Sequence, residues 1–113
     1  MRHSDTSTAD ERADRVFRAL ADPTRRDIVR LAMQGEHSVS ALARRYPMSF
    51  AAVQKHVAVL VQAELVSKRR SGREQLVRGR VDTVRETSQL LDAFAALWRE
   101  RIERFEAVLG DDG

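Results

Sequence analysis

PMSFAAVQKHVAVLVQAELV, residues 47–66, is the stretch around which the chain arranges itself. Val53, Val57, Leu60 and Val61 recur at i, i+4, i+7 and i+8, the spacing of one buried helical face. At 100° per residue Ala51, Lys55, Ala58 and Gln62 fall on the opposite side, with Gln54 and His56 on the flanks. Pro47 and Ser49 mark a helix entrance, where the Ser49 hydroxyl is free to cap an orphan amide. The helix therefore buries an aliphatic stripe and presents small residues, Gln and Lys outward. Small residues allow close approach to a surface, and Gln and Lys reach base edges and phosphates, as a helix lying in a DNA major groove must. An ordinary surface helix of a small bundle is the competing description of this stretch alone.

Charge along the chain weighs toward the first description. The whole chain has a net charge of +3 over 113 residues, unevenly spread. Residues 1–43 are neutral, residues 44–85 hold ten basic side chains against three acidic ones, and residues 86–113 hold three against seven. A basic middle between neutral and acidic ends is the footprint of a nucleic-acid face. Arg outnumbers Lys eighteen to two, a bias that genome composition also produces. There is no cysteine, which excludes disulfides, thiolate metal sites and cysteine nucleophiles and fits a cytoplasmic protein. No apolar run approaches the roughly 20 residues of a membrane span, and the polar N-terminus lacks a signal-peptide core.

Working outward, residues 1–9 read as a disordered tail, residues 10–109 as one folded domain and residues 110–113 as a second tail. A first helix starts at Asp10 with Val16, Phe17 and Leu20 as its apolar stripe. Asp22-Pro23 ends it and opens the next, with Asp22 capping and Pro23 at the first helical position. Ile28, Val29, Leu31 and Ala32 carry that second helix to Gly35. Ser38 or Ser40 caps a third helix bearing Val39, Leu42 and Ala43, ending at Arg45-Tyr46-Pro47. With a brief turn at Pro47-Met48, the third and fourth helices make a helix-turn-helix.

Beyond Val66, Ser67-Lys68-Arg69-Arg70, Ser71-Gly72 and Arg73-Glu74-Gln75-Leu76-Val77 read as a hairpin with a Gly-containing turn. Lys68, Arg69, Arg70 and Arg73 make its tip cationic. Such charge also keeps an edge strand from aggregating, but its place directly after a groove-type helix favours phosphate contact. A long helix follows from Thr83 to Leu109, with Thr83 and Glu86 matching a capping box. Leu91, Phe94, Trp98, Ile102 and Phe105 lie on its apolar stripe, which is too long to be buried within one small domain. That stripe reads as a subunit interface, with Phe17 and Leu20 of the first helix as second contributors.

The order of elements is that of winged-helix regulators, and several segments resemble one family. Residues 17–26, FRALADPTRR, resemble the "LADPTRR" signature of ArsR-type repressors. Residues 39–43 resemble their third helix and residues 48–60, MSFAAVQKHVAVL, their reading helix. Ala63-Glu64-Leu65-Val66 with Gly72-Arg73 resembles the helix exit and wing, and residues 98–109 the final dimerising helix. The likeness covers about residues 14–109. It implies a mainly α fold with a small β-hairpin wing, a winged helix-turn-helix dimerising through its first and last helices. It also implies a homodimer that binds an operator near a promoter.

Three departures from the family pattern matter. Ser38 and Ser40 stand where metal-sensing members carry a thiolate pair, and the last helix has no histidine, so soft-metal sensing is not expected. Glu64 stands where relatives commonly have Gly, a strain if the residue is left-handed. Phe50 replaces a polar or basic residue, and its helical angle places it toward the core rather than DNA.

The expected DNA contacts are Ala51, Gln54 and Lys55 at base edges or phosphates, and Ser49 as cap and phosphate ligand. His56 is expected as a packed or phosphate-bonded boundary residue. Arg25, Lys68, Arg69, Arg70 and Arg73 are expected on the DNA backbone or minor groove. The partners are double-stranded DNA and a second copy of the chain, with a small molecule or partner protein as candidate effector. No cofactor or metal is expected. An enzyme is excluded: there is no glycine-rich phosphate loop or ligand cluster, and the histidines lack catalytic partners. The alternative class is a helix-turn-helix dimer serving as a protein-interaction module.

Overall fold

In a computed structural model, residues 8–110 are described. The elements run α1 (Ala9–Ala19), α2 (Pro23–Gln34), β1 (His37–Ser38), α3 (Val39–Ala43), α4 (Phe50–Gln62), β2 (Val66–Ser71), β3 (Glu74–Gly79) and α5 (Val81–Gly110). The expected tails at residues 1–9 and 110–113 lie outside the described residues, apart from Thr8, Ala9 and Gly110, which belong to α1's cap, α1 and α5. Among the described residues no helix is long and apolar enough to cross a membrane.

Two compact units divide the chain, one ending at Thr83 and one beginning at Val84. In the first, the helix starts follow local chemistry. Thr8 and Glu11 form a reciprocal capping box on α1: the Glu11 amide donates to Thr8 Oγ1 over 3.0 Å and the Thr8 amide to Glu11 Oε1 over 2.9 Å. Asp22 caps α2 through the Arg25 amide, with Pro23 at the first position. Ser38, not Ser40, caps α3 through the Ala41 amide. The stripe of α1 is shifted from the expected one: Ala13, Val16 and Ala19 are buried, Leu20 is partly buried and Phe17 is 40% exposed.

One core joins these helices: Val16, Ile28, Leu42, Val53, Val57, Leu60, Leu65, Val66 and Val77 are all at most 2% exposed. Each such side chain stabilises the fold by about 1.5–3 kcal/mol. Helix α3 is shorter than expected, ending at Ala43. Tyr46, just beyond it, turns back to α2, where its hydroxyl donates to Asp27 Oδ2 over 2.6 Å.

The hairpin is part of a three-stranded antiparallel sheet ordered β1-β3-β2. Strand β1, two residues long, pairs His37 with Val77 and Ser38 with Leu76, and was not expected. Strands β2 and β3 pair from Val66↔Gly79 to Ser71↔Glu74, leaving Gly72-Arg73 as the loop. Gly72 has φ 62° at the first loop position, where a two-residue hairpin turn needs a positive φ. Gly79 sits close against α2: a Cβ there would displace Met33 Sδ at 2.5 Å and crowd the Ala32 carbonyl at 3.1 Å.

Helix α5 begins at Val81, two residues before the expected capping box, so Thr83 lies in its first turn rather than at the cap. Arg80 sets that start: its amide donates to the Leu65 carbonyl over 2.9 Å and its guanidinium to Asp82 over 2.8 Å. The second unit is the rest of this helix. The whole helix, 30 residues, spans about 45 Å. Leu91, Phe94, Leu97, Trp98, Ile102, Phe105, Val108 and Leu109 all fall within an arc of about 140° and all are exposed. The Glu100–Arg104 pair closes at 3.2 Å on the polar side, as the i, i+4 spacing predicts.

Candidate nucleic-acid interface

Helix α4 is positioned from both ends. Ser49 Oγ accepts from the Ala52 amide over 3.1 Å, so the expected cap is formed. At the other end the Leu65 amide reaches back to the Leu60 carbonyl over 3.0 Å and the Glu64 amide to Val61 over 2.9 Å. That is a Schellman closure, whose pivot needs a left-handed residue. The pivot is Glu64, at φ 62°, the only positive-φ non-glycine residue among those described. The sequence expectation of a strained glutamate is met there.

Between these ends Val53, Val57 and Leu60 are wholly buried. Ala51, Gln54, Lys55, Ala58 and Gln62 are exposed. The outer face of α4 is thus the one expected, with one correction. Phe50 does not pack beneath the helix but is 46% exposed. Phe50 lies at the rim of the buried stripe, about 20° beyond Val57 around the helix, so much of its ring reaches the surface.

His56 is half-buried on the inner flank. Its Nδ1 lies 3.4 Å from Arg25 Nη1 and 3.9 Å from Asp22 Oδ2. This agrees with a packed imidazole. Arg25, expected on DNA, is half-buried and hydrogen-bonded within the chain: Nε donates to the Ala19 carbonyl over 2.6 Å and Nη2 to that of Arg18 over 3.2 Å. Arg26 Nη1 donates to the Leu20 carbonyl over 2.7 Å. The two guanidiniums cap the open carbonyls at the end of α1, where positive charge also suits the helix dipole. Asp22 ties into the same knot, and the Arg25 amide bond lowers its carboxyl pKa below 3.8, helped by His56 and Arg25 charge. The stabilisation this gives is complete above that value and is lost as pH falls below it.

On the hairpin, cross-strand register divides the cations between two faces. Lys68 and Arg70 share a face with Gln75 and Val77; Arg69 lies on the other with Leu76, Ser67 and Arg78. Lys68 and Arg73 are exposed with no side-chain partner among the described residues. Arg70 Nε makes only a 3.4 Å contact with the carbonyl of Gly72. Arg69, expected on the DNA backbone or minor groove, has a partner within the chain. Its Nε and Nη2 donate to Glu36 Oε2 and Oε1, each over 3.1 Å. An exposed pair of this kind contributes at most about 1 kcal/mol, so it orients Arg69 and leaves it displaceable by a phosphate. Arg78 was missed by sequence reasoning; β-alternation from Ser67 would have placed it on the Arg69 face.

The remaining histidine in the described region, His37, has Nδ1 2.9 Å from the Gly35 carbonyl. Among the described residues no group of three or more His, Asp or Glu side chains is arranged to hold a metal.

Comparison with known proteins fits this geometry. Residues 20–69 match a family described as "Helix-turn-helix domain". Over 59 residues the chain is 48% identical to the HTH-type transcriptional regulator Rv2034 of Mycobacterium tuberculosis, covering 52% of this chain and 55% of the relative. Over 57 residues it is 37% identical to the transcriptional repressor SdpR of Bacillus subtilis, covering 50% and 63%. The chain therefore spans little more than half the length of these relatives. Among solved structures, an ArsR-like transcriptional regulator from Rhodococcus sp. RHA1 superposes with a TM-score of 0.75 at 31% identity, over 86% of this chain and 92% of that one. With that identity carried over nearly the whole of a solved relative, and with the capped α4 and cationic hairpin in place, the chain belongs to the ArsR-like family of winged-helix transcriptional regulators.

Proposed function

We propose that the protein is a homodimeric transcriptional repressor that reads an imperfect palindromic operator without sensing a soft metal. The observation that carries this is the juxtaposition, in one compact unit, of a helix exposing Ala51, Gln54, Lys55 and Ala58 with a hairpin exposing unpaired cations. Gln54 suits a bidentate pair with adenine, Lys55 guanine or a phosphate, and Ala51 a thymine methyl. Lys68, Arg70 and Arg73, with Arg69 and Arg78 on the other face, supply backbone and minor-groove contacts that fix register.

Dimerisation rests on α5. An exposed apolar arc carrying Phe94, Trp98 and Phe105 is far larger than a lone soluble helix tolerates, and a second copy of the same arc covers it symmetrically. Two reading helices about 34 Å apart then address successive major grooves, which makes the operator palindromic. Repression follows from occupancy, since a dimer seated over a promoter blocks polymerase; the name of SdpR supports the same sign of regulation. Soft metals are held best by thiolates, and the 113 residues contain no cysteine. The chromosome being its target, the protein acts in the cytoplasm.

A mobility shift with the DNA upstream of its own gene tests this. A shift that fades as salt rises is expected. Absent or salt-insensitive binding would favour a protein-interaction module using the α5 face.

A further inference from the structure

The exposed surface of α4 carries one aromatic side chain, which the polar readout does not use. Phe50 opens the helix, 46% exposed, and belongs neither to the core nor to the partly buried residues packed against it. It lies one turn before Gln54 and about 40° from it around the helix. Ala51 and Ala58, small and exposed, lie about 80–100° round the helix with Gln54 between, so Phe50 stands at the edge of the outer face, at its N-terminal end. A reading helix offers its N-terminal residues to base edges, and Phe50 is the first residue after the Ser49 cap. Phosphates and the polar base edges give a phenyl ring nothing to bond. The apolar group that a major groove presents is the C5 methyl of thymine, or the same methyl on 5-methylcytosine.

Resting on the DNA-reading role proposed above, we propose that Phe50 is a specificity-determining residue that packs its ring on a pyrimidine C5 methyl, so that each half-site requires that methyl at one position. Readout at that position is apolar, beside the hydrogen-bonding readout of Gln54 and Lys55. A hydrophobic contact of one methyl is worth about fourfold in affinity per half-site.

The test uses the full chain and a duplex that it selects from a random pool. Each thymine is replaced in turn by deoxyuridine, which removes only the methyl. In parallel, the corresponding pair is changed to C·G with cytosine either plain or 5-methylated. The expected result is one position per half-site where deoxyuridine weakens binding about fourfold, or where 5-methylation of cytosine strengthens it by as much; which arm responds identifies the source of the methyl. Phe50→Ala, on an exposed site and checked for a native circular dichroism spectrum and melt, should bind duplexes with and without the methyl at that position equally, whatever effect a methyl read by Ala51 keeps. Indifference of the wild-type chain to every such methyl would overturn the proposal while leaving DNA binding intact. If Phe50→Ala still discriminates the methyl as strongly as the wild type, the methyl belongs to another residue, Ala51 being nearest in sequence, and the proposal is also overturned. Failure to select any duplex would instead remove the DNA-reading role itself.

Discussion

Glu64 pivots the exit from the reading helix with φ 62°, a conformation that costs a side-chain-bearing residue about 1 kcal/mol relative to glycine. Glu64→Gly should therefore raise unfolding stability by about that amount in a denaturant titration; a decrease would mean that the 3.9 Å contact of its carboxylate with Arg80 outweighs the strain. Tyr46 makes a second residue-scale prediction. Burial, then its hydrogen bond to Asp27, pushes the phenol pKa up to about 12 from 10.0. A raised folded-state value stabilises the protonated form, so this stability is complete below the ordinary phenol value and is lost as pH rises from there through about 12. Tyr46→Phe should cost about 1 kcal/mol at neutral pH and flatten the pH dependence of stability in that window. An unchanged alkaline profile in the variant would disconnect Tyr46 from it. Single residues also show where sequence reasoning stopped. Glu64 was legible because its place after a helix is a glycine site. The bonds of Arg25 to the backbone carbonyls of α1 were not, because such carbonyls have no sequence signature.

At the scale of elements, the periodic segments were legible and the long-range pairings were not. Val53, Val57 and Leu60 give α4 its buried face by spacing alone, and Gly72 marks the hairpin turn. Strand β1 escaped because two residues carry no periodicity. The clasp of Arg69 by Glu36 joins positions 33 apart in sequence, and only the sheet brings them together. Phe50 was misplaced because its angle falls at the rim of the buried stripe, where spacing alone does not decide between core and surface. The hairpin carries a prediction of its own. Arg70→Ala and Arg73→Ala should each weaken binding to all sequences alike. Each should also reduce the salt slope by about 1 for every phosphate left without its cation, about 2 for a dimer. A change in sequence preference at unchanged slope would contradict a positioning role for the wing.

For the whole molecule the decisive element is α5, whose apolar arc is exposed along its length in the single chain. Phe94→Glu with Trp98→Glu should yield monomers with weak operator affinity by sedimentation and titration, and an intact dimer would remove the interface. The central claim is that α4 supplies sequence readout while the hairpin supplies charge. It is tested most directly by titrating the wild-type chain and Gln54→Ala against a selected duplex and a scrambled one over a salt series. With Lys68, Arg70 and Arg73 of two protomers on phosphates, log affinity should fall with log salt at a slope of about −5 for both duplexes, and more steeply for each further phosphate that Arg69 or Arg78 takes. The wild type should prefer the selected duplex at every salt concentration, and Gln54→Ala should keep the slope while losing much of that preference. Salt-insensitive binding, or a Gln54→Ala variant with undiminished preference, would contradict it.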